Sequence, residues 1–398
     1  MARFLLMSLP GSVRRAAVAG KPRLAQDGRL RREAEMGQSN TVRVAVLPGD
    51  GIGTEVTEAT LAVLEKLTKR HGIGIATEVL PAGAFHYRET GDGFPESSFR
   101  AAEAADAILL GAMGWPGIRQ ADGTEIAPQL DLRFRLNLYA GVRPVRAIPG
   151  VPVALADPRA KEIDLVLIRE STEGLFHSRG KGLVTEDLAE ETLRITRATT
   201  EKLSRFAFRL AQRRGAQRGR QPRVTLVDKA NVFRAFAFMR GVFDAVAKEF
   251  PGVESAHHYV DAMALDLVRK PWEFDVLPTE NMFGDILSDL GAGLVGGMGF
   301  SPSADIGDEH AVFQPAHGTA PDIAGKGIAN PTATLLSASM MLDWLAMRGA
   351  GQGFADAAGE LGSAVDAAFA AGLRTHDIGG RDDTADVAKS VMARIGVP

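Results

Sequence analysis

Two aspartates, Asp285 and Asp289, are four residues apart in the segment TENMFGDILSDLGAGL, residues 279–294. If this segment is helical, both carboxylates lie on one face, where two like charges destabilise the helix unless a cation lies between them. Hard divalent ions such as Mg²⁺ or Mn²⁺ bind oxygen ligands, often a few carboxylates together with substrate and water. The alternative is one carboxylate that complements the helix dipole and an unrelated exposed one. The spacing alone favours that alternative.

A second acidic candidate, Asp261, lies in HHYVDAMALDLVRKP, directly after a short strand. Residues at that position bind ligands in open α/β sheets. The neighbouring His257 and His258 have neither an H-x-x-x-H spacing nor a third imidazole nearby, so we interpret them as strand-edge residues. Lys229 follows an apolar strand in VDKANVF. An ammonium is costly to bury there unless it acts as an acid or base in a cleft.

Arginines form a third candidate group. Arg133 and Arg143 lie in LDLRFRLNLYAGVRP, and Arg169 follows an apolar run in VLIRESTEG. Forked guanidiniums that converge on one pocket indicate a substrate with more than one carboxylate. Scattered surface ion pairs are the alternative, and they fit Arg135 and Arg146 better.

Two glycine-rich segments could hold a nucleotide. VRVAVLPGDGIGTEV, residues 42–56, is typical of a strand, a turn and a helix, but neither frame from Gly49 or Gly51 places a third glycine where G-x-G-x-x-G requires it. FQPAHGTAPDIAGKGIANP, residues 313–331, is long and rich in turn residues, and its His317 could stack on a purine. We therefore predict the nucleotide site in the second segment.

The elements that must position these residues alternate along the chain. Strands are predicted at 42–47, 107–110, 165–168, 224–227 and 276–278, and helices at 54–69, 189–213 and 233–249. This alternation predicts an α/β fold with a largely parallel sheet. The basic segment RRGAQRGRQP, residues 213–222, is interpreted as a solvated loop, and small-residue helices are expected from Gly349 onward.

Composition narrows the function further. The 398 residues are 45% hydrophobic and 24% charged, with a net charge of −3 and no cysteine. Thiolate metal sites and cysteine nucleophiles are excluded, and no nucleic-acid or membrane partner is indicated. Residues 1–40 carry eight Lys/Arg against three Asp/Glu. We expect them to form a disordered, functionally silent extension, with Met36 as the natural initiator.

The strings LPGDGIG, DKANVF, TENMFGDILSDL and HGTAPDIAGKGIANP, in this order, resemble the metal-dependent β-decarboxylating dehydrogenases, which act on 3-isopropylmalate, isocitrate, homoisocitrate, tartrate and D-malate. The resemblance spans residues 42–345 and overturns the unrelated-carboxylate interpretation of the aspartate pair. It implies a two-lobed isopropylmalate-dehydrogenase-like α/β fold and not a Rossmann domain. Residues 41–138 plus 296–398 would form the cofactor-side lobe, and residues 139–295 the dimerisation and metal/substrate lobe.

The resemblance also implies a cytoplasmic homodimer with shared active sites. Substrate carboxylates would bind Arg133, Arg143 and Arg169. The metal, Mg²⁺ or Mn²⁺, would bind Asp285, Asp289 and, from the partner chain, Asp261. Lys229, also from the partner, would transfer the proton, with Asp261 as the second catalytic residue. The cofactor would bind His317, Gly318, Thr319, Ala320, Pro321, Asp322 and Asn330. An aspartate at position 322 implies NAD rather than NADP.

This sequence departs from the family pattern at two places. The family tyrosine seven residues after Arg169, which protonates the enolate, is Phe176 here, so water or His177 must supply the proton, or the reaction ends after oxidation. The specificity segment has Ala127 where isocitrate enzymes carry serine, and Gln129-Leu130 where isopropylmalate enzymes carry two leucines. GAMGWPGI, residues 111–118, is similar to the tartrate and D-malate enzymes.

The resulting prediction is an NAD- and Mg²⁺/Mn²⁺-dependent oxidation, with decarboxylation, of a 2-hydroxy dicarboxylate. The leading substrate is 3-isopropylmalate or another 3-substituted malate. A tartrate or D-malate dehydrogenase and a non-catalytic regulatory subunit are the alternatives. The second is disfavoured because the arginine, lysine and aspartate set is intact.

Overall fold

The structure is a computed structural model that describes residues 41–397, so the expected extension over residues 1–40 lies outside the described residues. Ten strands form one sheet. In chain order they are β1 (Thr41–Gly49), β2 (Gly74–Val79), β3 (Ala107–Ala112), β4 (Ala140–Arg146), β5 (Asp164–Glu170), β8 (Arg223–Asp228), β9 (Glu254–Tyr259), β10 (Val276–Thr279), β11 (Pro302–Ile306) and β12 (Ala311–Pro315). A separate hairpin pairs β6 (Leu183–Val184) with β7 (Ala189–Glu190).

Helices cover both faces of the sheet. In chain order they are α1 (Ile52–His71), α2 (Ala84–Thr90), α3 (Glu96–Ala104), α4 (Pro128–Arg135), α5 (Arg197–Arg218), α6 (Arg234–Ala247), α7 (Val260–Arg269), α8 (Asn281–Leu294), α9 (Thr332–Leu345), α10 (Gln352–Ala370) and α11 (Thr384–Met392). The last two confirm the small-residue helices expected from Gly349 onward.

The period-two pattern of each strand divides the core into layers, because successive side chains of a strand point to opposite faces. In β5, Val166 and Ile168 join the large cluster that packs α1, α5, α6, α9, α10 and α11 on one face. Leu165 and Leu167 face the other way, toward α7 and α8. At the other end of the sheet, Ala45 and Leu47 of β1 pack against α3 and α4 on that same second face.

Strand direction changes in the middle of the sheet. The strand order is β2-β1-β3-β12-β11-β4-β5-β10-β8-β9. The pairs β12–β11, β11–β4 and β4–β5 are antiparallel, whereas the flanking pairs are parallel. The prediction of an α/β fold with a largely parallel sheet is therefore confirmed, and His257 and His258 lie on the edge strand β9 as expected.

The structure corrects two predictions around α5. The helix predicted over 189–213 begins only at Arg197, capped by the Thr196 hydroxyl, which accepts from the Thr199 amide at 3.4 Å. Residues 189–190 instead form β7. The helix then continues to Arg218 and ends at Gly219, whose φ of 61° suits glycine. Much of the predicted loop 213–222 is therefore helical.

The basic residues of that segment are also less exposed than predicted. The Arg214 guanidinium is buried, and it donates to Asp275 Oδ1 at 2.7 Å and to Asp164 Oδ1 at 3.1 Å. Arg218 Nη1 donates to the same Asp275 oxygen at 2.9 Å. Local charge suggested a solvated loop, but long-range ion pairs draw these arginines against the sheet.

Candidate active site

The three predicted substrate arginines come together in the structure. Arg143 lies on β4, Arg169 on β5 and Arg133 in α4, and all three are more than nine-tenths buried. Arg143 and Arg169 alternate with core residues and project to the second face, where α4 and α8 pack. The scattered-surface-pair alternative is therefore excluded for these residues.

Burial disfavours the charged form of these guanidiniums. It lowers the pKa of Arg169 to about 10. The negative charge of Asp285 opposes this shift, whereas the positive charges of Arg133 and Arg143 add to it. The pKa of Arg143 is also lowered by burial, which Asp305 only partly offsets. The Nε atoms of Arg133 and Arg169 are buried and have no hydrogen-bond partner within 41–397. Such a cluster can accept anionic groups in addition to the carboxylates already present.

Asp305, on β11, was not predicted as a site residue. Its Oδ2 accepts from Arg133 Nη2 at 3.0 Å and from Gln314 Nε2 at 2.9 Å, and its Oδ1 accepts from Arg143 Nη2 at 3.4 Å. The only signal in the sequence is an acidic residue inside the otherwise uncharged strand segment SPSADIG, residues 301–307. Its partners are far away along the chain, so that signal did not identify them.

The aspartate pair lies in a helix, as its spacing suggested. Asp285 and Asp289 are in α8, which begins at Asn281 and is capped by the Glu280 carboxylate. Arg169 connects this helix to the arginines: its Nη1 donates to Asp285 Oδ1, and its Nη2 donates to Asn281 Oδ1 at 2.9 Å.

The two aspartates differ in environment. The pKa of Asp289 is raised by burial and, to a smaller extent, by the negative charge of the nearby Asp285. Hard divalent ions prefer such oxygen ligands, so the pair fits one. Both residues are exposed, and the side chain of Asp285 is 60% accessible.

The third predicted metal ligand lies elsewhere in the single chain. Asp261 begins α7, and its Oδ1 accepts from Lys229 Nζ at 2.6 Å. Within residues 41–397, no group of three or more histidines, aspartates and glutamates is placed to hold a metal ion. One chain therefore brings Asp285 and Asp289 together, and it pairs Asp261 with Lys229 separately from them.

Residues 317–330 form a loop between β12 and α9 that contacts the first glycine turn. The Ile52 amide donates to the Thr319 carbonyl at 3.0 Å, and a Cβ on Gly51 would lie 2.2 Å from that oxygen. The turn that resembles a Rossmann motif therefore packs against the predicted nucleotide loop. His317 Nε2 is buried without a partner in the described part of the chain, and burial lowers the pKa of this imidazole.

The remaining members of the predicted cofactor set differ in exposure. Asp322 is exposed, whereas Asn330 is buried and its amide donates to Asp377 Oδ2 at 3.0 Å. Asp50, which was not predicted, fixes the neighbouring loops. Its carboxylate accepts from the backbone amides of Ala84 at 2.7 Å and Gly114 at 2.9 Å.

Phe176 lies beside the arginine cluster. Its ring meets the Phe134 ring edge-to-face at 5.5 Å between centroids, and Phe134 directly follows Arg133 in α4. The departure from the family tyrosine is therefore close to the arginines that are predicted to bind the substrate.

Comparison with known proteins agrees with this geometry. A profile of the isocitrate/isopropylmalate dehydrogenase family matches residues 43–391. The chain belongs to this family. A 3-isopropylmalate/3-methylmalate dehydrogenase of Methanocaldococcus jannaschii is 41% identical over 357 residues, which cover 89% of this chain and 98% of that protein. A 3-isopropylmalate dehydrogenase of Methanothermobacter thermautotrophicus is 39% identical over 358 residues, 89% of this chain and 99% of that protein.

A solved structure, that of an isocitrate dehydrogenase from Methylococcus capsulatus, is similar with a TM-score of 0.76 and 34% identity, and it covers 89% of this chain and 99% of that one. The protein is thus a decarboxylating hydroxyacid dehydrogenase, which confirms the enzyme prediction. Enzymes of this family generally depend on NAD and a divalent metal, act on small dicarboxylates and form dimers. Among the described helices, none has the length and apolar character needed to cross a membrane.

Proposed function

We propose that the protein oxidises 3-isopropylmalate, or another malate with a substituent on C3, using NAD and Mg²⁺ or Mn²⁺. The observation that carries this proposal is the convergence of Arg133, Arg143 and Arg169 opposite Asp285 on one face of the sheet. The same arrangement contains positively charged donors for two carboxylates and oxygen ligands for a hard cation.

The residues of the chain then have distinct tasks. Arg133, Arg143 and Arg169 bind and orient the two substrate carboxylates, because forked guanidiniums recognise carboxylates bidentately. Asp285 and Asp289 hold the divalent ion, which, when bound, lowers the pKa of the substrate hydroxyl and polarises the carbonyl that forms. Substrate would displace the contact between Arg169 and Asp285.

Lys229 and Asp261 are proposed to act on the active site of the neighbouring subunit. Apolar residues are exposed on the helices that carry the acidic ligands, with Met282 and Ile286 on α8 and Leu265 on α7. These residues support burial of this surface in a homodimer. Because Lys229 and Asp261 contact each other, dimerisation would then place an ammonium and a third carboxylate together beside the arginines of the neighbouring subunit.

A complementation experiment tests this sharing. The variants Asp285→Asn and Lys229→Gln are each expected to be inactive. Mixed after unfolding and refolding, they should recover roughly a quarter of wild-type activity, because half the dimers are mixed and each mixed dimer has one intact shared site. If both residues served the same chain, the mixture would stay inactive.

NAD is proposed to bind the loop from His317 to Asn330. The buried, unpartnered Nε2 of His317 can bond an adenine ring, and Asp322 is exposed where it can accept from the ribose hydroxyls. The 2′-phosphate of NADP would meet the like charge of Asp322, so kcat/KM should be higher with NAD than with NADP.

Of the second candidate, a tartrate or D-malate dehydrogenase, one observation favours the tartrate enzyme, because tartrate has a hydroxyl on C3 and D-malate does not. Gln129 lies one helical turn before Arg133 in α4, and its side-chain Oε1 is buried with no partner among residues 41–397. A hydroxyl on C3 of the substrate could donate to this oxygen, whereas an isopropyl group could not.

A substrate panel distinguishes the candidates. The purified protein is assayed with NAD and Mn²⁺ against 3-isopropylmalate, 3-methylmalate, D-malate, tartrate and isocitrate. We expect the highest kcat/KM with a 3-alkylmalate and no NADH when the metal is chelated. A higher value with tartrate would favour the second candidate, and no turnover with any member would overturn the proposed function.

A further inference from the structure

Asp305 is a buried carboxylate that contacts two arginines of the cluster, although it is not one of the predicted site residues. It is only 1% exposed, and both of its oxygens are used: Oδ1 by Arg143 at 3.4 Å, and Oδ2 by Arg133 at 3.0 Å. Gln314 donates to Oδ2 from the adjacent strand at 2.9 Å. The carboxylate thus fixes the positions of two guanidiniums before any substrate arrives.

The sheet leaves space for Asp305 to approach the arginines. The register aligns Arg169 with Gly141 and Gly141 with Asp305, so the arginine and the aspartate lie on either side of a glycine in the middle of the sheet. A Cβ on Gly141 would lie 3.1 Å from Asp305 Oδ1 and 2.6 Å from Ser171 Oγ. The missing side chain therefore leaves room for the carboxylate between the strands.

Asp305 is negatively charged in this setting. Burial alone would raise its pKa, but the positive charges of Arg133 and Arg143 outweigh burial and hold the pKa below its ordinary value. A neutral carboxyl could not compensate the positive charges of these guanidiniums, so the negative charge of Asp305 helps to set the net charge of the site.

The charges of the site can now be counted. A divalent ion would cancel the two negative charges of Asp285 and Asp289, and the partner's Lys229 and the partner's Asp261 would cancel each other. What remains is three guanidiniums and one Asp305 carboxylate, three positive charges against one negative, which leaves two positive charges. Two positive charges match a dicarboxylate. A third substrate carboxylate would be uncompensated in a buried site, where charge is costly.

We propose that Asp305 is a specificity-determining and positioning residue, which holds Arg133 and Arg143 in place and reduces the charge of the cluster so that the site accepts dicarboxylates and disfavours tricarboxylates. This inference rests on the proposed function, since it concerns the substrate carboxylates of the same site. Asp305 does not touch the reacting atoms, and it acts through the two arginines.

The test removes the negative charge of Asp305 and keeps the shape of its side chain. In Asp305→Asn, the ratio of kcat/KM for isocitrate to kcat/KM for 3-isopropylmalate should rise about tenfold or more, because the arginine cluster then keeps one more uncompensated positive charge for a third carboxylate. Asp275→Asn is the matched control, since Asp275 also joins two arginines and lies at the other end of the same sheet. An unchanged ratio in Asp305→Asn, or an equal rise in the control, would overturn the proposal.

A second measurement uses the wild-type protein and requires neither turnover nor the variant. Calorimetric titration with propane-1,2,3-tricarboxylate and with its monoamide, in the presence of Mg²⁺, compares three charges with two on one carbon skeleton. The monoamide should bind about tenfold more tightly or better. Equal affinities would contradict the role of Asp305, whereas loss of all turnover on the substrate panel would contradict only the proposed function.

Discussion

Arginines and carboxylates form two clusters, one at each end of β5. At the carboxyl end of β5, Arg169 joins Arg133 and Arg143, with Asp305 and Asp285 as their acidic partners. At the amino end, the acidic residues are Asp164, which begins β5, and Asp275, which directly precedes β10. Their partners there are Arg214 and Arg218 of α5.

The two clusters differ in how well their charges are compensated. In the amino-end cluster two carboxylates meet two guanidiniums. The pKa of Arg214 lies above its ordinary value because Asp164 and Asp275 outweigh the effect of burial, whereas burial and the charge of Arg214 lower the pKa of Arg218. In the other cluster, burial lowers the pKa of both Arg143 and Arg169. The equal numbers of carboxylates and guanidiniums support the proposal that the first, balanced cluster stabilises the fold. The three guanidiniums and two carboxylates of the second, under-compensated cluster support the proposal that it binds an anionic ligand.

The largest expected effect is on turnover, at the acidic part of the site. Asp285→Asn keeps the shape of the side chain and removes a ligand charge, so Mn²⁺ affinity and kcat should fall together, kcat by about a hundredfold or more. Metal-dependent rates in limiting Mn²⁺ measure this. Asp164→Asn, in the balanced cluster, should leave the metal dependence unchanged, and normal turnover of Asp285→Asn would remove the aspartate pair from the metal site.

The next effect is on stability, and it should be larger in the balanced cluster. Arg214→Gln removes a buried guanidinium and leaves two partly buried carboxylates with one guanidinium, and it should lower the free energy of unfolding by about 3 kcal/mol. Arg143→Gln also relieves repulsion between like charges and should cost less. Urea denaturation of both variants at neutral pH measures the difference. A greater loss in Arg143→Gln would show that both clusters stabilise the fold in the same way.

A smaller effect concerns the pH dependence of stability. Burial raises the pKa of Glu280, the cap of α8, from 4.5 to about 6, while the pKa of Asp164 is lowered because Arg214 and Arg218 outweigh burial. A raised carboxyl pKa means that the folded state binds the proton more tightly. Stability from Glu280 is therefore present at low pH and is lost as pH rises from about 4.5 to about 6, by about 2 kcal/mol in all.

Glu280→Gln should remove that loss, and unfolding measured at several pH values between 4 and 8 tests it. Asp164→Asn should act in the opposite sense. The stability that the Asp164 carboxylate contributes is present above the ordinary carboxyl pKa and is lost as pH falls through the lowered pKa of Asp164. Identical pH profiles for Glu280→Gln and the wild type would show that the buried carboxyl of Glu280 ionises as it does in the unfolded chain.

The smallest effect is expected at Phe176. Protonation of the enolate needs a donor, and the phenyl ring cannot supply one, so that step should be slower than hydride transfer, or the natural substrate needs no decarboxylation. Phe176→Tyr should raise the release of CO₂ more than the burst of NADH, by a few-fold. Parallel measurement of both products decides the question. If the wild type releases both in equal amounts and the variant changes neither rate, the hydroxyl is dispensable.

Local pattern predicted much of the framework. Apolar runs located β1 and β5, because they are properties of the chain itself. α8 meets the condition under which the spacing of Asp285 and Asp289 puts both on one face of a helix. The family strings supplied the roles of the arginines.

Long-range pairing could not be predicted in the same way. Asp305 meets Arg133, 172 residues earlier in the chain, so no local spacing relates the two residues. The start of α5 was misplaced because helix propensity does not show that residues 189–190 pair with a second strand. Local charge predicts solvent exposure for the basic segment after Arg213, because the sequence does not show that the carboxylates that bind it lie on β5 and before β10.

Binding of the substrate to paired variants tests the central claim most directly. Isothermal titration with 3-isopropylmalate in the presence of Mg²⁺ is carried out on the wild type, Arg143→Gln and Arg214→Gln. We expect the dissociation constant to rise about a hundredfold in Arg143→Gln, which loses one guanidinium of the under-compensated cluster, and to stay close to the wild-type value in Arg214→Gln. Wild-type affinity in Arg143→Gln, or an equal loss in both variants, would contradict the assignment of the arginine cluster as the carboxylate site.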